Sequence, residues 1–146
     1  MRAEALFELL DTWSDRGWSR PLDRALAVFL HEQQPGADSL VLLSAALTSH
    51  QLGRGHICLD LAATLDDPET TLALSPEDDP GETQPPRPAD LLAGISIDTW
   101  VPRLQQSPLV DTGEGATPLV LDAGRLYLRR YWQYARDVAC GIRQRL

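Results

Sequence analysis

The stretch from Ser39 to Leu61 constrains the fold more than any other part of the chain, because it reads as a helix, a turn and a strand in direct succession. Between Leu40 and Leu47, apolar side chains point in nearly every direction around the predicted helix. Such a helix should lie between other elements rather than on a surface. Asp38 or Ser39 can cap its first turn by accepting hydrogen bonds from free backbone amides. We therefore expect the rest of the chain to pack around this helix.

Two glycines mark the end of the central helix. Gly53 and Gly55 supply the positive-φ or close-approach positions that a sharp reversal needs, and with His56 they form the predicted structural turn. A dinucleotide-binding fingerprint does not fit, because its glycines follow a strand and open a helix, whereas these glycines close a helix and open a strand. Residues 57–61 then alternate as in a half-buried strand, with one face formed by Ile57, Leu59 and Leu61.

Helical periodicity predicts two more helices before the central one. The first, over residues 2–15, should bury Leu6, Leu9, Leu10 and Trp13. The second should open around Pro21, because proline suits a first helical turn, where a backbone N–H has no partner. It is expected to bury one apolar stripe formed by Leu22, Ala25, Leu26, Phe29 and Leu30. The three helices should pack as a small bundle with the third in the middle.

An acidic, proline-rich segment over residues 66–88 separates the bundle from the C-terminal half. It is interpreted as a solvated loop, with an acidic interaction segment as the alternative. One helical turn at 62–65 precedes it. The elements expected after it are helices at 89–93 and 98–105, an edge strand at 107–110, a hairpin at 118–130 that turns at Asp122-Ala123-Gly124, and a helix from Tyr131 to beyond Ile142.

These elements predict an α+β fold in a single domain over residues 1–146. An N-terminal three-helix bundle should pack beside a small antiparallel sheet that contains the C-terminal β-hairpin, followed by the final helix. The sheet is expected to combine residues 57–61 with the hairpin arms at 118–122 and 125–129. The final helix has no stop signal before Leu146, so we expect the sequence to be the N-terminal part of a longer chain.

Composition excludes several classes of function. The net charge of −8 argues against a domain that wraps nucleic acid as a whole. All 13 basic residues are arginine, so the lysine of a phosphate-binding P-loop and that of a Schiff-base enzyme are both absent. No apolar run approaches the ~20 residues of a membrane span. The N-terminus carries Glu4 and Glu8 and does not resemble a signal peptide, so a cytoplasmic location is expected.

Catalytic and metal-binding patterns are weak. No Ser/His/Asp set has a recognisable local context. His50, His56 and Cys58 would be the ligands of a metal site, but they lack a CxxC or HxxxH pair. The alternative is that His50 ends a buried helix and His56 hydrogen-bonds to the backbone of the turn. Cys58 and Cys140 are interpreted as buried reduced thiols rather than as a disulfide or metal ligands. We expect these residues to include no catalytic, cofactor-binding or metal-binding group.

The best candidate for a functional surface is an arginine-rich segment near the C-terminus. Arginine interleaved with aromatic residues suits phosphate binding and base stacking, and it is also typical of protein–protein hot spots. The partner-binding candidates are Arg125, Tyr127, Arg129, Arg130, Tyr131, Tyr134 and Arg136. A third interpretation is that Tyr127 and Trp132 belong to the core and that the arginines form a solvated rim around them.

Two segments together resemble the N-terminal domain of RecD, the exodeoxyribonuclease V alpha subunit. They are LLSAALTSHQLGRGHICLDL at 42–61 and TPLVLDAGRLYLRRYWQYARDVA at 117–139. Arg-Pro-Leu-Asp at 20–23 precedes them in the same order. The resemblance spans nearly the whole chain, and the acidic segment is the poorest match.

The resemblance implies a role in a larger machine. RecD is a superfamily 1 DNA helicase motor that moves 5′ to 3′ within the heterotrimeric RecBCD helicase–nuclease, which processes double-strand breaks for homologous recombination. Its ATP- and magnesium-dependent motifs lie beyond the N-terminal domain, so this chain is expected to hold no cofactor and to be non-catalytic. The N-terminal domain docks onto RecC in this family. The expected partner is therefore a RecC-like subunit, with DNA contacted by the whole complex.

The alternative function is a winged-helix-like DNA-binding module, because three helices followed by a β-hairpin match that layout. Its third helix would have to present polar residues to a groove of the DNA. The corresponding stretch from Leu40 to Leu47 is mostly apolar, so the sequence favours the docking interpretation.

Overall fold

The computed structural model describes residues 2–72 and 86–136 of the chain. Its helices are α1 (Ala3–Asp15), α2 (Pro21–Gln33), α3 (Ser39–Gly53), α4 (Leu61–Asp66), α5 (Pro68–Leu72), α6 (Pro88–Leu91) and α7 (Ile97–Gln105), and residues 129–136 are helical and are called α8. Cys140 and the predicted helix beyond residue 136 lie outside the described residues. Its strands are β1 (Leu59–Asp60), β2 (Val110–Asp111), β3 (Leu119–Asp122) and β4 (Arg125–Leu128). Within these two ranges, no helix is both long enough and apolar enough to cross a membrane. The predicted α+β fold class is confirmed.

Helix α3 lies at the centre of the fold, as predicted. Every residue from Leu40 to Gln51 is buried, and the helix packs against α1, α2, α7, β1 and β4. Asp38 caps it by accepting a hydrogen bond from the Leu40 amide at 3.0 Å. The same carboxylate accepts two bonds of 2.7 and 2.6 Å from Arg103. The cap therefore also ties α7 to the start of α3.

The four strands form one sheet in the order β1-β4-β3-β2. β3 and β4 are the predicted hairpin, and β1 adds antiparallel to β4 with Leu59 opposite Leu126. The edge strand β2 lies close to the predicted position but pairs parallel to β3, so the sheet is mixed. A parallel neighbour ordinarily needs a long crossover. Here the loop at 112–118 is enough, because β2 is only two residues long and the chain has little distance to retrace.

Both faces of the sheet are covered. The hairpin leucines on one face join the main core beneath α3. On the opposite face, Val120 and Tyr127 form a second cluster with Trp132 of α8, and Cys58 and Ala135 pack against its border. Helix α8 therefore lies on the side of the sheet that faces away from the bundle.

The predicted orientation of α2 is only partly right: Leu30 is fully buried and Leu26 packs half-buried against the core as predicted, but the rest of the predicted stripe is exposed. The sequence places Leu22 and Phe29 on the buried side, but they are 61% and 52% exposed. The residues of α2 that are buried are Asp23, Ala27 and Leu30. Asp23 explains the rotation, because its carboxylate accepts hydrogen bonds from the Arg20 amide at 2.9 Å and from the Ser49 hydroxyl of α3 at 2.6 Å. A buried carboxylate needs such donors, so this side of α2 must face α3.

The strand predicted over residues 57–61 is shorter than expected. Only Leu59 and Asp60 pair with β4, because Leu61 already begins α4 and Asp60 caps that helix. Leu59 and Leu61 are buried as predicted, whereas Ile57 is 42% exposed. The alternation is therefore wrong at Ile57, which precedes the paired residues.

The acidic segment predicted as a loop over residues 66–88 is partly helical. α4 ends within it, α5 lies wholly inside it, and α6 opens at its last residue. Leu72 is fully buried, and its carbonyl lies 2.7 Å from Nε2 of His50. The beginning of the segment therefore belongs to the core. Residues 73–85 lie outside the described residues.

Helices α6 and α7 lie close to the two short helices predicted at 89–93 and 98–105. Trp100 and Leu104 are buried as predicted. Ile97, also predicted to face inward, is 36% exposed because it opens α7. The Trp100 indole donates to the Ser44 hydroxyl at 2.9 Å and so fixes α7 on α3.

Candidate protein-docking surface

The seven partner-binding candidates lie on β4 and α8, and the structure separates them into three groups. A side chain whose donors are already paired within the chain has less to offer a partner, so each group must be judged by its contacts. The groups are Arg125 with Tyr127, Arg129 with Arg136, and Arg130 with Tyr131 and Tyr134.

Arg129 is an internal clamp. Its guanidinium donates to the Gly113 carbonyl at 2.6 Å, to the Thr117 carbonyl at 2.9 Å and to the Thr117 hydroxyl at 2.8 Å. It also lies 3.6 Å from the Asp111 carboxylate, and its side chain is only 15% exposed. All these acceptors belong to the segment from β2 to β3. Arg129 therefore holds the loop at 112–118 against the start of α8.

Trp132 lies between two arginines. The guanidinium carbons of Arg129 and Arg136 are 5.5 and 5.4 Å from the centroid of its ring, within the range of a cation–π contact. The indole N–H donates to Asp122 at 3.0 Å, and Arg136 pairs with Glu114 of the same loop. Because Trp132 is buried, these contacts stabilise the packing of α8 on the sheet.

Arg125 lies beside the turn that follows α3. It lines a cleft of about 510 Å³ together with Arg54, His56 and Asp60. Its Nε lies 3.9 Å from the Asp60 carboxylate, and its side chain is 56% exposed. The contact with Asp60 crosses the paired strands β1 and β4. Arg125 thus belongs to the mouth of this cleft.

Tyr127 and Cys58 pack on the outer face of the sheet. Burial raises the pKa of the Tyr127 hydroxyl, although the nearby Arg125 guanidinium opposes this effect. Burial also raises the pKa of the half-buried, free Cys58 thiol. A thiol with a raised pKa stays protonated at neutral pH and is a poor nucleophile. Both residues therefore contribute packing rather than reactivity.

Arg130, Tyr131 and Tyr134 form an exposed surface on α8, which we call the α8 surface. Arg130 is exposed, Tyr131 is 38% exposed and Tyr134 is 64% exposed. At 100° per residue, their positions fall within about 100° of the helix circumference. The α8 surface therefore offers one guanidinium and two phenol rings on one side of a helix.

The turn after α3 is shaped by two different uses of glycine. Gly55 has φ of +91°, a conformation that residues with a Cβ rarely adopt. At Gly53, an added Cβ would lie 2.6 Å from the guanidinium carbon of Arg20. The His56 side chain is exposed, and its backbone amide donates to the Gln51 carbonyl at 3.0 Å. These contacts make the turn a structural element beside the cleft.

A buried polar network between α2 and α3 has no counterpart among the sequence-based expectations. Asp23 is 1% exposed and accepts bonds from the Ser49 hydroxyl at 2.6 Å and from the Arg20 guanidinium at 2.9 Å. Arg20 also donates to the Ser49 carbonyl at 2.6 Å. The available signal was the acidic residue at the third position of α2, which is the position that closes a capping box.

Serine, histidine and aspartate meet in this network without forming a catalytic triad. The Ser49 hydroxyl donates to Asp23 and not to His50. The His50 ring places Nε2 against the Leu72 carbonyl, and its Nδ1 lies 3.9 Å from Asp23, beyond hydrogen-bond distance. Desolvation by burial lowers the pKa of His50, and this effect outweighs the opposing influence of the Leu72 carbonyl and Asp23. The lowered pKa favours a neutral His50 ring, which packs in the core against the Leu72 carbonyl.

The residues considered as metal ligands do not converge. His56 and Cys58 line the cleft, whereas His50 is directed at the Leu72 carbonyl. Across the described ranges, no group of three or more His, Cys, Asp or Glu side chains could hold a metal ion.

The position of α3 bears on the winged-helix interpretation. A recognition helix must expose polar side chains to a DNA groove. Helix α3 is buried from Leu40 to Gln51, and the bundle and the sheet cover it on different sides. The third helix of this fold is therefore unavailable to DNA.

The chain matches a known family over most of its length. The family model described as "RecBCD enzyme subunit RecD, N-terminal domain" matches residues 15–127, from the end of α1 to β4, and confirms the resemblance found in the sequence. No curated protein matches the chain. Because the family model covers well over half of the 146 residues, the chain belongs to the family of RecD N-terminal domains.

Proposed function

We propose that this chain is a protein-docking domain that attaches a RecD-like subunit to a RecC-like subunit within a RecBCD-like heterotrimer. The observation that carries the proposal is the α8 surface formed by Arg130, Tyr131 and Tyr134. Arginine and tyrosine are enriched at interface hot spots, because they bury a large area and also form hydrogen bonds. The family match supports membership of a multisubunit enzyme and ends at residue 127, just before α8, so the α8 surface is proposed as the docking face on its composition and exposure.

The same proposal assigns catalysis to other parts of the assembly. ATP and magnesium binding, 5′-to-3′ movement on DNA and exodeoxyribonuclease V activity would belong to the motor of the RecD-like chain and to its partners. The domain itself would be non-catalytic, would hold no cofactor and would act in the cytoplasm, away from membranes. DNA would be contacted by the whole complex during repair of double-strand breaks by homologous recombination. This division agrees with a chain that has no lysine for a P-loop.

The test is a calorimetric titration of this chain with a purified RecC-like subunit in the absence of DNA. We expect the wild-type chain to bind and the double variant Arg130→Glu/Tyr134→Ala to bind at least tenfold more weakly, because both changes remove hot-spot contacts. Arg2→Glu is the matched control, since Arg2 is an exposed arginine outside the α8 surface. This control should bind like the wild-type chain.

Two outcomes would contradict the proposal in different ways. Equal affinity of the wild-type chain and the double variant would remove the α8 surface from the interface. If the wild-type chain did not bind the RecC-like subunit but bound DNA with an affinity that falls steeply with salt, the domain would be a DNA-binding module instead.

A further inference from the structure

Helix α2 carries an apolar stripe on its exposed side. Leu22 is 61% exposed and Phe29 is 52% exposed. Between them, Ala25 is exposed and Leu26 is half-buried. These four residues follow the spacing i, i+3, i+4 and i+7, which places them in one line along a helix. We call them the α2 stripe.

Most of the α2 stripe is not needed to pack α2 against the bundle. Of its four residues, only the half-buried Leu26 packs against the main core, and the helix is held mainly by its other side, which buries Asp23, Ala27 and Leu30. A helix that is apolar on two sides normally lies between two elements. Single exposed apolar residues are ordinary on protein surfaces, but Leu22 and Phe29 lie about 10 Å apart on one line, with two smaller apolar residues between them. This continuity distinguishes the α2 stripe from singly scattered apolar residues.

The stripe is presented on a helix that is already held in place. The polar network at Asp23 fixes the beginning of α2 on α3. Arg24 pairs with Asp11 of α1 at 2.7 Å, and the rings of Phe7 and His31 meet edge to face with centroids 5.5 Å apart. A partner therefore does not have to order the helix when it binds, which removes one of the main costs of association.

Charge and size argue against a second copy of this chain as the occupant. With a net charge of −8, two copies repel each other. A helix of 13 residues is about 20 Å long, and one side of it offers roughly 200 Å². A stable complex buries roughly 800 Å² on each partner. The stripe is therefore suited to be one part of a larger interface.

We propose that the α2 stripe is a second docking surface, occupied by an apolar patch with a basic border on the partner subunit that the proposed function invokes. The inference rests on that function. The patch must be apolar, because none of the four stripe residues carries a charge. Its border should be basic, because the exposed Glu32 lies one turn beyond Phe29 and the chain as a whole is acidic. Together with the α8 surface, the stripe enlarges the area that the partner can cover.

The test compares the wild-type chain with the double variant Leu22→Gln/Phe29→Gln in binding to a purified RecC-like subunit. We expect the variant to bind at least tenfold more weakly while its thermal midpoint stays unchanged, because both positions are exposed. Ile97→Gln is the matched control, since Ile97 is another exposed apolar residue but lies outside the stripe. As a second readout on the wild-type chain, hydrogen exchange of residues 21–33 should slow when the partner binds.

The outcomes separate the inference from the proposed function. If the wild-type chain binds and the double variant binds equally well, the inference fails and the docking function stands. If the wild-type chain does not bind, the docking function fails and the inference fails with it. A concentration-dependent dimer of the wild-type chain that the double variant cannot form would also overturn the inference, because the occupant would be a second copy.

Discussion

Arg129 and Arg130 are neighbours in the sequence with opposite roles in the structure. Arg129 is 15% exposed and donates to the Gly113 and Thr117 carbonyls, whereas Arg130 is exposed on α8. Both are cationic and both lie next to aromatic residues, so residue type alone does not distinguish them. The orientation of α8 on the sheet determines that Arg129 contacts the loop at 112–118 and that Arg130 faces solvent.

Removing the Arg129 side chain should destabilise the fold. We expect Arg129→Ala to lower the free energy of unfolding by about 2 kcal/mol, because three charge-assisted hydrogen bonds are lost. Arg129→Lys should retain only part of the lost free energy of unfolding, since one ammonium cannot reproduce the planar fork of the guanidinium. Urea denaturation measures the difference. Arg130→Ala is the control and should change the free energy of unfolding by less than about 0.5 kcal/mol. Equal effects at the two positions would contradict the role of Arg129 in holding the loop at 112–118.

His50 should make stability depend on pH. Burial lowers its pKa in the folded chain below the usual value of 6.5, so below that pH the unfolded chain binds more protons than the folded one. The stabilisation is therefore complete above pH 6.5, and the free energy of unfolding falls as the pH drops below it. Urea denaturation between pH 7.5 and about 5 measures this loss, and His50→Gln should reduce it. An unchanged pH profile in the variant would show that another group is responsible.

The hairpin of β3 and β4 is an element that the sequence predicts well, because its turn chemistry is local. Ala123 and Gly124 both have positive φ, at +53° and +75°, as a type I′ turn requires. Alanine is strained there by about 1–2 kcal/mol, whereas asparagine tolerates this conformation. We expect Ala123→Asn to raise the free energy of unfolding by about 1 kcal/mol in a urea titration.

The control for the hairpin is Gly124→Ala, which places a Cβ at the second positive φ and should lower stability by a similar amount. Two variants that change stability in the same direction would be inconsistent with this turn geometry.

The orientation of α2 could not be predicted by the same means. Its apolar periodicity is real, but only Leu30 of the five predicted residues is fully buried, because the Asp23 carboxylate decides which side of the helix faces α3. The partners of Asp23 come partly from α3, so the deciding contact is tertiary and leaves no trace in local periodicity. The shortness of β1 has a similar cause, because Asp60 caps α4 and thereby ends the strand.

At the scale of the whole molecule, α3 makes the bundle and the sheet depend on each other. Leu47 is 1% exposed in the shared core. We expect Leu47→Ala to lower the free energy of unfolding by about 2–4 kcal/mol, because it leaves a cavity. Ile57→Ala, at a 42% exposed position, is the control and should lower the free energy of unfolding only slightly.

Cooperativity gives this last prediction a second readout. Trp13 and Trp18 are buried among the helices, and Trp132 is buried on the far side of the sheet. Far-UV circular dichroism and tryptophan fluorescence should show coincident transitions in both the wild-type chain and Leu47→Ala. Separate transitions for the two probes would mean that the bundle and the sheet unfold independently.

Sequence patterns point to β4 and α8 as the proposed docking segment but do not select its exposed residues. The selection follows from Trp132, which packs on Val120 and Tyr127 and so fixes the face of α8 that turns inward. Tyr131 and Tyr134 then remain outside. The apolar periodicity of α2 is evident in the sequence, but only the structure shows that Leu22 and Phe29 are exposed.

The pairing of Leu59 with Leu126 has a consequence for synthesis on the ribosome. The contacts among the first three helices are complete once α3 has emerged, so the bundle can form early. The partner strand of β1 is made much later, and at about 5–20 residues per second the delay amounts to several seconds. During this interval the nascent chain carries three helices whose central member still lacks its cover from α7 and β4, next to a strand without its neighbour. Chains that grow side by side on one messenger RNA are therefore most exposed to mispairing with each other through this strand.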